Sequence, residues 1–363
     1  MRWLILMALL VFGVSATGLA QNRVVHVYNW SDYIAADSLA DFTAATGIRV
    51  VYDVYDANET LEAKLFAGRS GYDVVFPSAH PFAGRHIGAG LYAPLDREQL
   101  PNLKHLYPNL MGLLDSTDPG NRHLVPYMWG TTGIGYNADR VAALLGDEAP
   151  VDSWALLFDP DNAAKLAGCG IALLDDEQEV LGAALIYLGK DANTTEAADI
   201  AAAAEVVNGI RPFVRYFHSS QYINDLANQE ICVAHGYSGD VLQARDRAGE
   251  AGLDVELVYS IPEEGAILWV DVMAIPTDAP HAAEAHAFIN YLLTPEVIAP
   301  ITDYVAYANA NKSATPLVDE DVRNDAGIYP PDEVMARLVV PKALPDNIQR
   351  LKTRTWTRIK TGH

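Results

Sequence analysis

The stretch Val24–Ser78, VVHVYNWSDYIAADSLADFTAATGIRVVYDVYDANETLEAKLFAGRSGYDVVFPS, alternates between two local patterns. Val24-Val25-His26-Val27-Tyr28 is β-branched and aromatic, which suits a pleated strand. Ala35 to Thr46 places Leu39 and Phe42 three residues apart, as on one face of a helix, and Gly47 stops it. Arg49 to Val54 reads as a second strand. Asn58 is a candidate N-cap for a helix through Leu61 and Leu65 that Gly68 closes. Tyr72-Asp73-Val74-Val75-Phe76 is a third strand, and Pro77-Ser78 turns out of it. Strand–helix–strand repetition implies a parallel sheet, hence an α/β fold. Ligands of such sheets sit at the carboxyl ends of the strands. Trp30, Ser31, Asp32 and Ser78 follow strands directly and so lie where a ligand would bind.

Further along, Val125 to Tyr136 is extended and glycine-rich without helical period, and reads as a crossing between two lobes. A second αβ region follows, with a helix from Val180 to Leu188, a helical segment from Gln221 to Asn228 and a strand from Ile231 to His235. Leu257 to Ile261 resembles a return crossing. Asp271 to Ile275 reads as a strand rejoining the first lobe, and a helix from Ala282 to Leu293 comes next. The expected division is residues 21–130 with 256–303 in the first lobe, and 131–255 with 304–363 in the second. Two lobes suit the length, because a single core stops growing at about 250–300 residues.

The first twenty residues read as a cleaved export signal: basic Arg2, an apolar run from Trp3 to Val14, and Gly18-Leu19-Ala20 before Gln21. The run is shorter than the ~20 apolar residues of a membrane span. No cysteine stands at the cleavage point to take a lipid. An exported protein meets oxidising conditions, which makes a Cys169–Cys232 disulfide the default, with two buried thiols as the alternative. The chain carries 47 acidic and 25 basic residues, formally −22. That excess disfavours nucleic acid and anionic lipid and favours encounter with cations.

Aromatic rings recur beside carboxylates in Trp30-Ser31-Asp32-Tyr33, in Tyr237-Ser238-Gly239-Asp240 and in Trp269-Val270-Asp271. Ring faces attract a cation, at roughly 0.5–2 kcal/mol each, and desolvated carboxylates fix protonated amines. If the fold gathers these segments, the guest is a slender organic cation with methylenes between its charges. Other chemistries fit poorly. His281 and His286 stand five apart, whereas a zinc helix needs four. Gly236-Tyr237-Ser238-Gly239-Asp240 misplaces the last glycine of a hydrolase elbow. Gly130, Gly133 and Gly135 do not make a dinucleotide fingerprint and suit a closely packed crossing strand. His218-Ser219-Ser220 suits a cap on the helix that follows. No cofactor, metal or catalytic group is expected.

Several longer motifs carry a specific likeness. Val27 to Ile34, Gly71 to Val75 with Pro77-Ser78, Pro126 to Asn137, Tyr216 to Ser220 and Tyr307 to Ala310 resemble the polyamine-binding periplasmic proteins of ABC transporters. The likeness runs to Thr353-Arg354-Thr355-Trp356-Thr357 and is nearest the putrescine/spermidine branch. It implies a two-lobed periplasmic binding protein fold, each lobe a mixed, mainly parallel sheet with flanking helices, joined by a hinge. It also implies a periplasmic monomer that hands a polyamine to membrane permease subunits, or a sensory protein using the same cleft. By the resemblance, Trp30, Tyr237 and Trp269 are ring walls, and Tyr33 and Tyr307 complete the box. Asp240 and Asp271 hold one ammonium end, while Asp32, Ser31 and Ser78 serve the other end or the middle. Glu179 matches the second-lobe carboxylate, within a run from Asp175 to Glu179 that offers several acids.

Overall fold

The computed structural model describes residues 23–362, so the expected export signal at residues 1–20 lies outside the described residues. The opening stretch folds as three parallel strands, β1 (Val24–Trp30), β2 (Arg49–Tyr55) and β3 (Val74–Val75), in the order β2-β1-β3. β1 and β2 run in register from Val24 opposite Arg49 to Trp30 opposite Tyr55. The helix Ser38–Thr46 ends where expected: Gly47 takes the left-handed conformation at φ 70° and donates to the Thr43 carbonyl. The helix Asn58–Ala67 begins at Asn58 itself rather than after it. The Asn58 amide does not cap the helix. It spans to the turn after β3, donating to Ser78 Oγ at 3.1 Å and accepting from the Ser78 N–H at 3.1 Å.

The crossing segment is one long strand, β4 (Val125–Asn137), and the rest of the sheet is assembled on it. The remaining strands are β5 (Ile171–Leu173), β6 (Val214–Phe217), β7 (Val233–Tyr237), β8 (Leu257–Ser260), β9 (Ile267–Met273) and β10 (Ala308–Asn309). Their order is β10-β4-β7-β5-β6, with β8 and β9 also on β4. β5 is parallel to β6 and β7, whereas everything on β4 is antiparallel. β9 leaves β4 to run beside the turn after β3, where Val272 N–H donates to the Pro77 carbonyl at 3.0 Å and Ala274 N–H to Val75 at 2.9 Å. One strand thus ties the two sheets together and delivers Asp271 to their junction. The glycines of β4 are there because neighbours pass too close for a side chain. A Cβ on Gly130 would lie 2.6 Å from the Trp269 ring, and one on Gly133 2.3 Å from the Ser260 carbonyl.

Among the described residues two large apolar cores result, with a small cluster of Leu242, Ala306, Ala308 and Ile328 apart from them. The first gathers residues between Val25 and Met128 with those between Leu268 and Val318. The second gathers residues between Ile134 and Ile267 with Trp356 and Ile359 of the C-terminal helix Asp346–Thr361. Val305, Tyr307, Ala310, Ala314 and Val318 pack into the first core, although residues 304–363 were expected in the second lobe. The helix Pro295–Val305 packs on the first sheet's neighbours and carries its continuation with it. Cys169 and Cys232 form a disulfide within the second body, closing 63 residues between the approaches to β5 and β7. Among the described residues, no helix is long and apolar enough to cross a membrane.

Candidate functional site

Between the two cores lies a cavity with about 700 Å³ of empty space, counted to its open mouth. The ends of β1 and β7, the turn after β3 and the middle of β9 converge on it, as do the first turns of the helices Glu177–Tyr187 and Ser238–Glu250. Ten of the expected residues line it: Trp30, Ser31, Tyr33, Ser78, Glu179, Tyr237, Asp240, Trp269, Asp271 and Tyr307. Trp269, Tyr237 and Tyr307 meet edge to face, with centroids 5.8 and 5.2 Å apart, and Tyr307 meets Tyr33 at 5.3 Å. Trp30 is anchored from behind by Tyr55, at 4.6 Å. The packing depends on Gly239, whose Cβ would strike the Tyr307 ring at 2.7 Å. The rings are thereby held as rigid walls around a slot.

Four acids line the slot, Asp176, Glu179, Asp240 and Asp271. Asp240 sits in the first turn of its helix, where the helix dipole favours negative charge. Tyr222 donates to one carboxylate oxygen at 2.7 Å and Tyr307 to the other at 2.5 Å. Burial still pushes Asp240 up to about 6 against those two hydroxyls. Asp271 accepts from Ser78 Oγ at 2.7 Å, and Asn58 holds that serine. Burial pushes Asp271 up to about 7. On the second body Asp176 caps the helix Glu177–Tyr187, accepting from the N–H groups of Gln178 and Glu179 at 2.8 and 3.1 Å. Burial raises Asp176, and burial together with the Asp176 charge raises Glu179 to about 8. Glu179 Oε2 is buried without a hydrogen-bond partner, as are Trp30 Nε1, Trp269 Nε1 and the Tyr33 hydroxyl. Buried polar atoms are ordinarily paired, and these four belong to residues that line the cavity.

Asp32 is not in the cavity. It adopts φ 55° in the turn after β1, and this carries its carboxylate outward to Arg247, 2.6 Å away. Arg247 also donates to Asn224 at 2.9 Å. Asp32 therefore pairs across the two bodies with Arg247. His218 has its own surprise. Neither Ser219 nor Ser220 caps the helix Gln221–Ala227; His218 Nδ1 accepts from the N–H groups of Ser220 and Gln221, both at 3.1 Å. Both serines line the cavity instead. His281 and His286 separate as expected: His281 pairs with Asp73 at 3.0 Å, while His286 accepts from the Asp96 N–H at 2.9 Å.

Sequence reasoning passed over Asp56, His80, Phe82 and Ile223 as lining residues and left open which acid between Asp175 and Glu179 faces the cavity. Asp56 directly follows β2, so the strand-end rule that selected Ser31 could have found it. Asp176 was one of several acids in its run, and only the helix start at Glu177 singles it out. His80, Phe82 and Ile223 carry no such mark.

A family model described as bacterial extracellular solute-binding protein matches residues 37–330. The putrescine-binding periplasmic protein SpuD of Pseudomonas aeruginosa is 56% identical over 360 residues, covering 98% of both chains. The putrescine-binding periplasmic protein PotF of Escherichia coli is 53% identical over 344 residues, covering 94% of this chain and 93% of that one. Among solved structures, the spermidine/putrescine ABC transporter substrate-binding protein PotD of Streptococcus pneumoniae superposes with a TM-score of 0.75 at 28% identity, covering 93% of this chain and 99% of that one. With its two α/β bodies around a cleft and a match across most of its length, this chain belongs to the family of bacterial extracellular solute-binding proteins.

Proposed function

We propose that this chain captures a linear polyamine in the cleft and delivers it to the permease subunits of an ABC transporter in the periplasm. One observation carries the reading: a slot walled by aromatic rings and lined by Asp240, Asp271, Asp176 and Glu179, whose carboxyls burial raises. An uncompensated buried carboxylate is costly, and an ammonium at each end removes the cost. Asp240 and Asp271 take one ammonium, with Ser78 and Asn58 holding Asp271 in place. Glu179, beside Asp176, takes the other. Trp30, Tyr237 and Trp269 cover the methylenes, and Tyr33 and Tyr307 close the box. The cleft opens and closes by hinge motion of the two bodies, with Asp32 and Arg247 meeting across its mouth. No turnover is part of this role.

The names of the relatives support the class of guest: putrescine for those more than half identical, spermidine and putrescine for a Salmonella typhimurium protein 34% identical over 337 residues. Trp269 adds a broad face along which a longer guest such as spermidine could extend. Calorimetric titration of the unliganded protein with putrescine, cadaverine, spermidine and spermine tests this. Micromolar or tighter binding of putrescine or spermidine is expected. Failure of all four to bind at millimolar concentration overturns the proposal.

A further inference from the structure

Behind the acidic end of the slot stands a lysine that no guest touches. Lys352 is 1% exposed, within the C-terminal helix, and its Nζ donates to Gln178 Oε1 at 3.2 Å. Gln178 lines the cavity, so the lysine lies one side chain behind the wall. The same helix face supplies a row of donors to this end of the site. Gln349 and Thr353 hydrogen-bond Glu177, while Trp356 Nε1 and Lys360 Nζ reach Asp175 at 3.2 and 2.6 Å. These positions recur at three- and four-residue intervals, so one stripe of the helix clamps the acidic start of the Glu177–Tyr187 helix. Lys352 is the buried cation of that stripe.

We propose that Lys352 sets ligand specificity as a resident ammonium, limiting the acidic end of the slot to one guest cation. This rests on the reading of the cleft as a polyamine site. When a guest cation ionises them, Asp176 and Glu179 present two negative charges to the cavity, and Lys352, one side chain behind the wall, offsets one of them. A single guest ammonium completes the balance, whereas a second meets an uncancelled positive charge across a dry wall. Lys352 also fixes the Gln178 amide, because an ammonium can only donate and so holds Oε1 toward itself. The amide nitrogen, which is buried and has no partner, is then directed away from the lysine as a further donor. Both effects disfavour a longer amine with two cations at this end.

The test is titration of wild type, Lys352→Met and Lys352→Arg with putrescine and with spermidine. Methionine keeps the length of the stem and removes the charge; arginine keeps the charge. The ratio of spermidine to putrescine affinity is expected to rise about tenfold in Lys352→Met, the scale of one screened unit charge at this range, and to stay within about twofold in Lys352→Arg. A purely structural role moves both affinities together, so an unchanged ratio in Lys352→Met overturns the proposal, as does an equal rise in both variants. If Lys352→Met does not fold, a ratio shifted in Lys352→Arg overturns it. Wild type that binds neither amine instead overturns the reading of the cleft itself.

Discussion

Replacing Asp271 with asparagine should make the empty protein more stable and the loaded protein weaker. Asp271 is 6% exposed at the junction of the two sheets, with one hydroxyl, from Ser78, within hydrogen-bond distance. Burial lifts its carboxyl from the usual 3.8 to about 7. At about 1.4 kcal/mol per tenfold, the ionised group costs the empty protein roughly 4 kcal/mol above pH 7. The sign follows from linkage. A carboxyl raised in the folded state favours folding below its unfolded value, and that contribution is lost as pH rises through the folded value. Asp271→Asn removes the titration, so the unliganded variant should gain about 2–4 kcal/mol over wild type at about pH 8 and almost nothing at about pH 4. Asparagine still accepts from Ser78, so the network through Asn58 survives. Polyamine affinity should fall by ~2–5 kcal/mol, because the guest ammonium is left without its counter-charge. Urea unfolding at both pH values, with and without ligand, reads each quantity. A variant less stable than wild type at pH 8, or an affinity changed less than twofold, refutes the reasoning.

Three further outcomes are expected. Because Asp240, Asp271 and Glu179 are raised to about 6, 7 and 8 and an ammonium binds their ionised forms, polyamine affinity should rise from about pH 5.5 to pH 8.5; calorimetry at three pH values checks this, and a flat or falling trend contradicts it. Trp269→Phe should weaken spermidine more than putrescine by about 1 kcal/mol, since ring area is lost where the longer guest extends; equal losses in parallel titrations show that Trp269 touches only their shared segment. Reducing the Cys169–Cys232 bridge should cost ~2–5 kcal/mol of stability while leaving polyamine affinity within about twofold, because the bridge lies wholly in the second body; unfolding and titration with and without reductant separate the two effects.

The first sheet was legible because each of its strands is short, β-branched and followed by a helix with its own stop. The start of each helix was less so: Asn58 looks like a cap by residue type, yet its amide is used 20 residues away on Ser78. Ring walls and buried acids were legible where ring and carboxylate stand together in sequence, as at Trp269 and Asp271. Asp32 satisfies the same rule but pairs with Arg247 and is not among the cavity-lining residues, because a positive φ in a tight turn decides which way a side chain leaves the backbone, and residue type does not encode that. Lys352 was invisible for a different reason. Its place arises from the C-terminal helix folding back on a helix start some 175 residues earlier, a pairing no local pattern announces.

The same geometry explains why capture and closure belong together. Asp271 comes from the strand joining the first core, whereas Asp176, Glu179 and Asp240 come from the second. Bringing the bodies together without a guest therefore concentrates carboxylates from both sides in a space that water largely leaves, and their raised pKa values register that cost. The rim pair Asp32–Arg247 opposes it only weakly, since both side chains remain about a third exposed and such pairs contribute about 0–1 kcal/mol. A diammonium touching both sides reverses the balance. It gains its full set of charge pairs only when the bodies meet, so it binds the closed arrangement in preference to the open one. That difference in affinity is what a ligand needs to shift a two-state equilibrium. A monoamine of the same length would satisfy one end only and leave the other acids uncompensated, so the slot selects for charge at both termini through the energetics of closing as well as through direct contact.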